Sequence, residues 1–198
     1  MNSKQEISKK FWIILLSVCL FLIIVVAIAF AAFSNRKPVV LEKEEDGGNV
    51  VLNYSSDVSG LRLLNAVPTT DAIAMKKMDE GEFFDFSVDV LLNEAPSIEY
   101  EISIKKDLNY STISDDDIRI YLEQEKSGTY SNVFGPDKYT ALKQASSLGT
   151  KSGSMVLLKV KRKKSTTDHY RLRVWLSDKS LVTSGNYSVE ISVVGVAK

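Results

Sequence analysis

Apolar and polar residues follow two different patterns in two parts of the chain. Residues 11–33 contain no charged side chain, and only Ser17 and Cys19 interrupt the apolar run. A helix of that length rises about 35 Å, enough to cross a hydrocarbon core of about 30 Å. In lipid such a helix satisfies its backbone hydrogen-bonding groups internally. The pattern therefore predicts a transmembrane helix over residues 11–33, inserted in the lipid bilayer as a signal anchor.

From residue 49 onward apolar and polar residues alternate with a period of two, which is typical of strands with one buried face. Two less regular apolar runs, 50–54 and 155–160, add further strands, and the run 61–64 is a candidate for one more, which makes seven or eight in all. Many short strands without βαβ spacing predict an antiparallel β-sandwich of jelly-roll or Ig-like type. The regular segments are 84–90, 98–105, 118–123, 170–176 and 187–193, and the less regular ones are 50–54, 61–64 and 155–160.

The connections between these strands carry turn and loop signals. Residues 93–97, which include Pro96, have the length of a hairpin turn. Residues 111–117, 134–137 and 141–154 are rich in polar residues and glycine, which predicts loops. Trp175 falls on the face opposite its apolar neighbours. Either its strand is covered on both sides or Trp175 is an exposed contact residue.

The remaining segments define the predicted organisation of the chain. Residues 1–10 form a short polar leader, and residues 34–48 form a charged, glycine-containing stalk that is expected to be flexible. Residues 49–198 form one domain.

The orientation follows from the order of these segments. Three Lys or Arg residues lie close to each end of the apolar run, so their count does not orient it. Because a long domain follows, we expect a single-pass protein with a cytoplasmic leader and the domain outside the cell membrane. The alternative is a cleavable signal peptide and a secreted domain, with small residues at 27 and 29 or at 29 and 31 as the cleavage motif.

Composition restricts the class of protein. Lys plus Arg and Asp plus Glu both number 25, and the resulting net charge of zero argues against a nucleic-acid partner. Cys19 is the only cysteine, so the predicted domain has no intramolecular disulfide to stabilise it. A disulfide-free extracellular domain of this size is typical of bacterial surfaces.

Few residues suggest catalysis. His169 is the only histidine, so a two-histidine zinc motif is excluded within one chain, and there is no GxSxG motif. The acidic residues at 115–117, and those at 85, 89, 99 and 101, offer carboxylates for calcium but lack EF-hand spacing. We therefore expect no catalytic residue, no cofactor and no metal.

One concentrated group of cations remains as a candidate contact surface. If the strands around residues 155–162 and 170–176 form a hairpin, these side chains crowd one end of a sheet and attract a polyanion or an acidic partner. The alternative is a solvated hairpin loop. The group consists of Lys159, Lys161, Arg162, Lys163, Lys164, Arg171 and Arg173.

The order of elements resembles the camelysin and TasA-like surface proteins of Gram-positive bacteria. The resemblance rests on a leader ending at Ala31-Ala32-Phe33, a strand 83–91 leading to Asn93, a second strand 98–104, and the closing pieces 170–176 and 186–191. It implies a jelly-roll surface protein, either a matrix-fibre subunit or a metalloprotease of camelysin type. No metal-binding motif of that group carries over to residues of this chain.

These observations predict a membrane-anchored, non-enzymatic, extracellular β-sandwich protein. Its expected role is surface adhesion, envelope structure or assembly with an unknown protein or cell-wall partner, self-assembly included. An unpaired edge strand offers a physical route, because it can accept a strand from another chain. Two alternatives are a camelysin-type metal-dependent surface protease and an accessory ligand-binding subunit of an envelope complex.

Overall fold

A computed structural model describes residues 37–40, 48–54, 60–78, 83–144 and 153–198. The predicted leader and transmembrane helix lie outside these ranges. Within the ranges, no helix has the length and apolar character needed to cross a membrane.

Strands account for most of the described residues. They are β1 (Lys37–Val40), β2 (Gly48–Tyr54), β3 (Gly60–Ala66), β4 (Phe83–Leu92), β5 (Ile98–Lys106), β6 (Ile118–Lys126), β7 (Thr129–Lys138), β8 (Lys143–Gln144), β9 (Met155–Arg162), β10 (Thr166–Leu176) and β11 (Gly185–Ala197). One short helix, α1 (Asp71–Ala74), and two 3₁₀ turns, Asp115–Asp117 and Tyr139–Ala141, complete the described elements.

The strands form two antiparallel sheets that share one hydrophobic core. Sheet A has the order β1-β2-β4-β10-β6-β7, and sheet B has the order β3-β11-β5-β9-β8. The alternating residues predicted from the sequence supply the core from both sheets, for example Leu172 of β10 and Ile102 of β5, which are fully buried. A shift of one residue would place charge in this core, so the pattern fixes the register. The predicted all-β, antiparallel architecture is confirmed.

The hairpin predicted at residues 93–97 is wrong, and the hairpin on which the basic cluster depended does not form. Strands β4 and β5 lie in different sheets, and so do β9 and β10. The short connections 93–97 and 163–165 therefore cross between the sheets instead of joining neighbours within one. Turn length alone does not distinguish these two kinds of connection, because both reverse the chain within a few residues.

The described residues contain eleven strands, more than the seven or eight predicted. Strand β7 includes residues 134–137, and β8 lies within 141–154, both of which were predicted to be loops. None of the ten residues of β7 is fully buried, so the strand lacks the alternation that marks one buried face. Strand β1 lies within the predicted stalk 34–48, and residues 34–36 and 41–47 are outside the described part.

The strand that carries Trp175 is covered on both faces of its sheet. Its neighbours Val174 and Leu176 face the core, and Trp175 is only 6% exposed on the opposite face. A second small cluster formed with Ala74, Met75 and Tyr121 covers it there. The open question about Trp175 is thus resolved in favour of a strand buried on both faces.

Candidate functional site

An open groove of about 410 Å³ lies between β3, the end of β10 and the segment that follows β3. We call it the β3 groove. Residues 62–67 form one wall, residues 174–176 form the floor, and Thr69, Ala74 and Lys77 complete the lining. Because β3 is the last strand of sheet B in the described part of the chain, the groove runs along a sheet edge.

The wall opposite β3 is the segment of residues 67–78, which crosses from sheet B to the outer face of sheet A. Its start is fixed to the end of β10, where the Thr69 N–H donates to the Leu176 carbonyl at 2.9 Å. Thr70 then precedes α1, and Asp71 supplies the acidic residue of its first turn. An acidic side chain at this position suits the partial positive charge of a helix N-terminus.

The Asp71 carboxylate ties α1 to sheet A. It accepts hydrogen bonds from Arg119, with Nη2 at 2.9 Å from Oδ2 and Nε at 3.3 Å from Oδ1. Trp175 donates its indole N–H to the same carboxylate at 3.2 Å. Further along, Arg173 donates to the Lys77 carbonyl. These bonds hold the segment over the sheet and so define the width of the β3 groove.

The groove combines apolar surface with positive charge. Leu64 and Val67 are 71% and 59% exposed, which is unusual for large aliphatic side chains in a domain with a well-filled core. Among the described residues, Arg62 and Lys77 are the charged side chains of its lining. The Arg62 guanidinium lies 4.3 Å from the centre of the Tyr110 ring, which holds it in place.

The local backbone of β3 explains the exposure of Leu64. The pairing of β3 with β11 shifts register between Leu63 and Ala66. Asn65 adopts a φ of 50° at this point, and its N–H donates to the Asn186 side chain at 2.8 Å. Such a bulge redirects side chains out of the regular alternation.

Arg171 and Arg173, predicted as contact residues, are ion-paired on the outer face of sheet A. Arg171 binds the Asp85 carboxylate through two bonds of 2.7 and 2.8 Å, and this pairing raises the pKa of the guanidinium. Arg173 is 3% exposed and bonds Glu123 at 3.0 Å. Because β10 lies in the other sheet from β9, the structure does not bring these arginines together with the five cations between residues 159 and 164.

The other five predicted cations lie at the end of β9 and in the connection that follows it. Lys161, Lys163 and Lys164 are exposed to solvent. Lys159 bonds the buried Glu101 carboxylate at 3.1 Å. Arg162 turns inward and binds the Asp168 carboxylate through bonds of 2.8 and 2.9 Å. Of the predicted group, only the three exposed lysines therefore form a solvated basic surface at one place.

Asp168 is the centre of a buried polar network that joins the two sheets. It accepts a hydrogen bond from the Tyr100 hydroxyl at 2.6 Å and another from the Gln124 amide at 3.2 Å. The hydroxyls of Tyr100 and Tyr170 are also 2.6 Å apart. Burial raises the pKa of Tyr170 to about 12 and raises the pKa of Tyr100 as well. Both phenols are held in the neutral form, so the network stabilises the sandwich.

The remaining candidates for chemistry lie apart from the β3 groove. Asp115 binds Lys106 at 2.6 Å and accepts a hydrogen bond from Tyr187 at 2.9 Å. His169 is exposed on β10 opposite Ser87 of β4. Within the described ranges, no three or more His, Cys, Asp or Glu side chains are grouped to hold a metal ion.

Sequence reasoning missed the β3 groove because its parts are distant in the chain. Two signals were present. Trp175 interrupts the alternation of β10, which indicates a covering element, and Thr70-Asp71 is a helix-start signal after a proline at position 68. Neither signal shows which strand the helix covers.

Comparisons with known proteins do not place the chain in a family. No protein-family model matches the sequence, and the search of curated proteins gives no match either.

Proposed function

We propose that the protein is a membrane-anchored, extracytoplasmic β-sandwich that assembles with a protein partner through the edge strand β3. The observation that carries this proposal is the outward display of Leu64 and Val67 beside a sheet edge. Exposed apolar side chains next to unpaired strand backbone are the two features that strand addition requires. A role in adhesion or envelope structure follows if the partner belongs to the cell surface.

We infer further that the sandwich is a jelly roll. The order of strand pairing supports this, because β3 pairs with β11, β4 with β10, β5 with β9 and β6 with β7. Pairs nested in this way from the ends of the chain inward are produced by wrapping one long hairpin, which gives the two Greek keys of a jelly roll. This class agrees with the resemblance to camelysin and TasA-like proteins.

The proposed location rests on the uncharged run 11–33. We expect the full chain to remain in the membrane fraction after a carbonate wash. Protease added outside intact protoplasts is then expected to remove residues 49–198 and to leave a protected N-terminal fragment. Full recovery in the wash with the leader intact would contradict membrane anchoring.

Site-specific crosslinking tests assembly through β3. A photoreactive amino acid at Leu64 of the full chain, in the cells that make the protein, is expected to give a discrete adduct with one partner. The matched position is Ser131, an exposed residue of β7 at the opposite sheet's edge. Equal adducts from both positions, or none from Leu64, would contradict a role for β3.

A further inference from the structure

We propose that one end of the sandwich, which we call the loop end, inserts apolar side chains into the surface of the lipid bilayer. The loop end consists of the connections 67–70, 107–114 and 177–184. This inference rests on the proposed membrane anchor and adds a second contact with the same bilayer. Its supports are the exposure of apolar side chains at this end, the charge beside them and the place where the chain enters the domain.

The three connections meet at the start of β11. The Thr112 N–H donates to the Asn186 carbonyl at 2.9 Å, and the Asn65 N–H, just before the first connection, donates to the Asn186 side chain at 2.8 Å. Gly185, where the third connection ends, lies so close to Ile113 that a Cβ there would be 2.6 Å from the Ile113 side chain. The connections therefore form one surface.

Large apolar side chains of the loop end face solvent. Leu108 is 80% exposed, Leu181 is 100% exposed and Tyr110 is 51% exposed. Single exposed leucines are ordinary on a protein surface, but these side chains lie on neighbouring connections. A fluid bilayer accepts projecting side chains without a complementary pocket, and its surface binds them in proportion to their apolar area. Tyrosine also suits this location, because its ring is apolar and its hydroxyl remains at the wet boundary.

Charge at the loop end does not favour an anionic surface. Asp107 and Asp178 lie close to the two leucines in sequence, and the acidic turn Asp115–Asp117 follows the second connection. Lys179 and Arg62 supply the opposite charge. Long basic side chains keep their charged ends in water while apolar neighbours enter the lipid. The free energy of insertion therefore comes from removing apolar surface from water.

The place where the chain enters the domain favours the loop end over the other end of the sandwich. Strand β1 begins at Lys37, which pairs with Tyr54 of β2. Tyr54 in turn pairs with Phe86, in the first half of β4. This half of β4 is directed toward the loop end, because β4 runs antiparallel to β10 and begins beside the last residues of β10. The chain thus enters sheet A in the half nearer to the loop end.

The tether to the proposed anchor is short. Only residues 34–36 separate the run 11–33 from the first residue of β1. A short tether keeps the bilayer at a high effective concentration beside the domain, so a weak contact of a few apolar side chains becomes populated.

A fluorescent label at single positions measures insertion. Cys19 is the only cysteine, so Cys19→Ser leaves a chain that takes the label only at an introduced cysteine. An environment-sensitive fluorophore is attached to Leu108→Cys, to Leu181→Cys and, as the control, to Lys164→Cys. Lys164 is exposed in the connection between β9 and β10, at the other end of the sandwich. Each full chain is placed in nanodiscs of neutral lipid that include a lipid with a spin-label quencher near the top of its acyl chain.

We expect a blue shift and quenching of the label at Leu108 and at Leu181, and neither change at Lys164. Leu181→Asp is expected to weaken quenching of the label at position 108, because the two connections insert together. Ser131→Asp, which adds the same charge to an exposed position of β7, keeps the quenching. Raising the salt concentration or adding an anionic lipid does not strengthen the quenching. Thermal unfolding of each variant shows that the fold is intact, since both replaced side chains are exposed.

Three results would overturn the inference: equal quenching at all three positions, no quenching at either leucine, or quenching that requires an anionic lipid. A photocrosslink from Leu181 to a protein in cells, with an unquenched label in nanodiscs, would overturn it as well and would assign the loop end to a protein partner. Elution of the chain together with the nanodiscs tests the anchor separately. A chain that elutes with the nanodiscs but shows no quenching would retain the proposed anchor and reject only the contact of the loop end.

Discussion

Strands β3 and β7 both lie at the edge of a sheet, but their irregularities differ in number and in the side chains that they expose. Strand β3 has one bulge, and this bulge displays Leu64 beside the groove. Strand β7 has two register shifts with β6, and it contains Pro136, which lacks an N–H. Irregular pairing and proline are the usual protection of a sheet edge against another strand.

A glycine at each of these two edges lies close to the backbone of the neighbouring strand. Gly135 of β7 has a φ of 81°, and a Cβ there would lie 2.3 Å from the Ile120 carbonyl oxygen. This residue bends β7 tightly against its neighbour. Gly60 of β3 has an ordinary φ but approaches the backbone of β11 so closely that a Cβ would lie 1.9 Å from the Val189 carbonyl oxygen. The comparison shows that a backbone irregularity can hinder strand pairing at one edge and favour it at another. The outcome depends on which side chains the irregularity exposes.

The largest expected effect comes from Gly60→Ala. Because the clashing atom belongs to the backbone, β3 must move away from β11, and we expect a loss of about 3 kcal/mol in the free energy of unfolding. The matched substitution is Gly128→Ala in the β6–β7 turn, where a Cβ meets no atom within 4 Å. Its φ of 81° is expected to cost only about 1 kcal/mol. Denaturant unfolding of both variants measures this difference, and equal losses would contradict the close seating of β3.

Stability at high pH tests the Asp168 network, which links the two sheets. This test does not depend on either edge strand. Unfolded tyrosine titrates near pH 10, whereas the pKa of Tyr170 is raised to about 12 and that of Tyr100 is also raised. The folded state therefore holds more protons than the unfolded state above pH 10. These two tyrosines contribute fully below pH 10, and the free energy of unfolding falls as the pH rises toward 12, by about 2 kcal/mol for Tyr170.

Unfolding measured as a function of pH, with Tyr170→Phe as the variant, checks this sign. The slope between pH 10 and 12 should become shallower in Tyr170→Phe. Tyr110→Phe serves as the control, because Tyr110 is 51% exposed and lies outside the network. An unchanged slope in Tyr170→Phe would show that titration of Tyr170 does not contribute to the loss of stability at high pH.

Asp71→Ala is expected to have an intermediate effect, and it acts on the groove itself. It removes the acceptor of Arg119 and Trp175, for which we expect a loss of about 1.5 kcal/mol and a red shift of Trp175 emission. Asp116→Ala is the matched control, because its carboxylate accepts a single exposed bond from Thr140 at 2.9 Å. Unchanged emission in Asp71→Ala would mean that this carboxylate does not hold the wall of the groove.

The smallest effect is expected from charge reversal at Lys163 and Lys164 together. Both are solvated in the connection between β9 and β10, so we expect a change below about 0.5 kcal/mol in the free energy of unfolding and an unchanged crosslink from Leu64. Thermal unfolding and crosslinking in cells measure these two quantities. Loss of the Leu64 crosslink would show that the basic connection, rather than the β3 groove, holds the partner.

The sequence was sufficient to predict every strand that has one buried face. Strands such as β5 and β10 alternate because a core lies on one side of each, and this pattern is local in the chain. Strand β7 was missed because it buries neither face completely. Sheet membership was also missed, since the connection 163–165 has the same length whether it crosses between sheets or joins neighbours.

The candidate site was harder to predict than the fold. The sequence predicts that Arg173 is a surface cation, yet its side chain is only 3% exposed beneath the segment 67–78. The partner that buries it, the Lys77 carbonyl, lies 96 residues earlier. Contacts at such separation depend on which sheet each strand joins, and hydrophobic alternation carries no information about that choice. Trp175 alone signalled a second covered face.

Hydrogen–deuterium exchange of the full chain, alone and in complex with the partner captured through Leu64, tests most directly whether β3, and not β7, accepts a partner. Amides of residues 60–67 are expected to exchange more slowly when the partner is present, because the edge of β3 becomes paired. Amides of residues 129–138 are expected to exchange at the same rate with and without it. Protection of β7, or unchanged exchange along β3, would contradict the account.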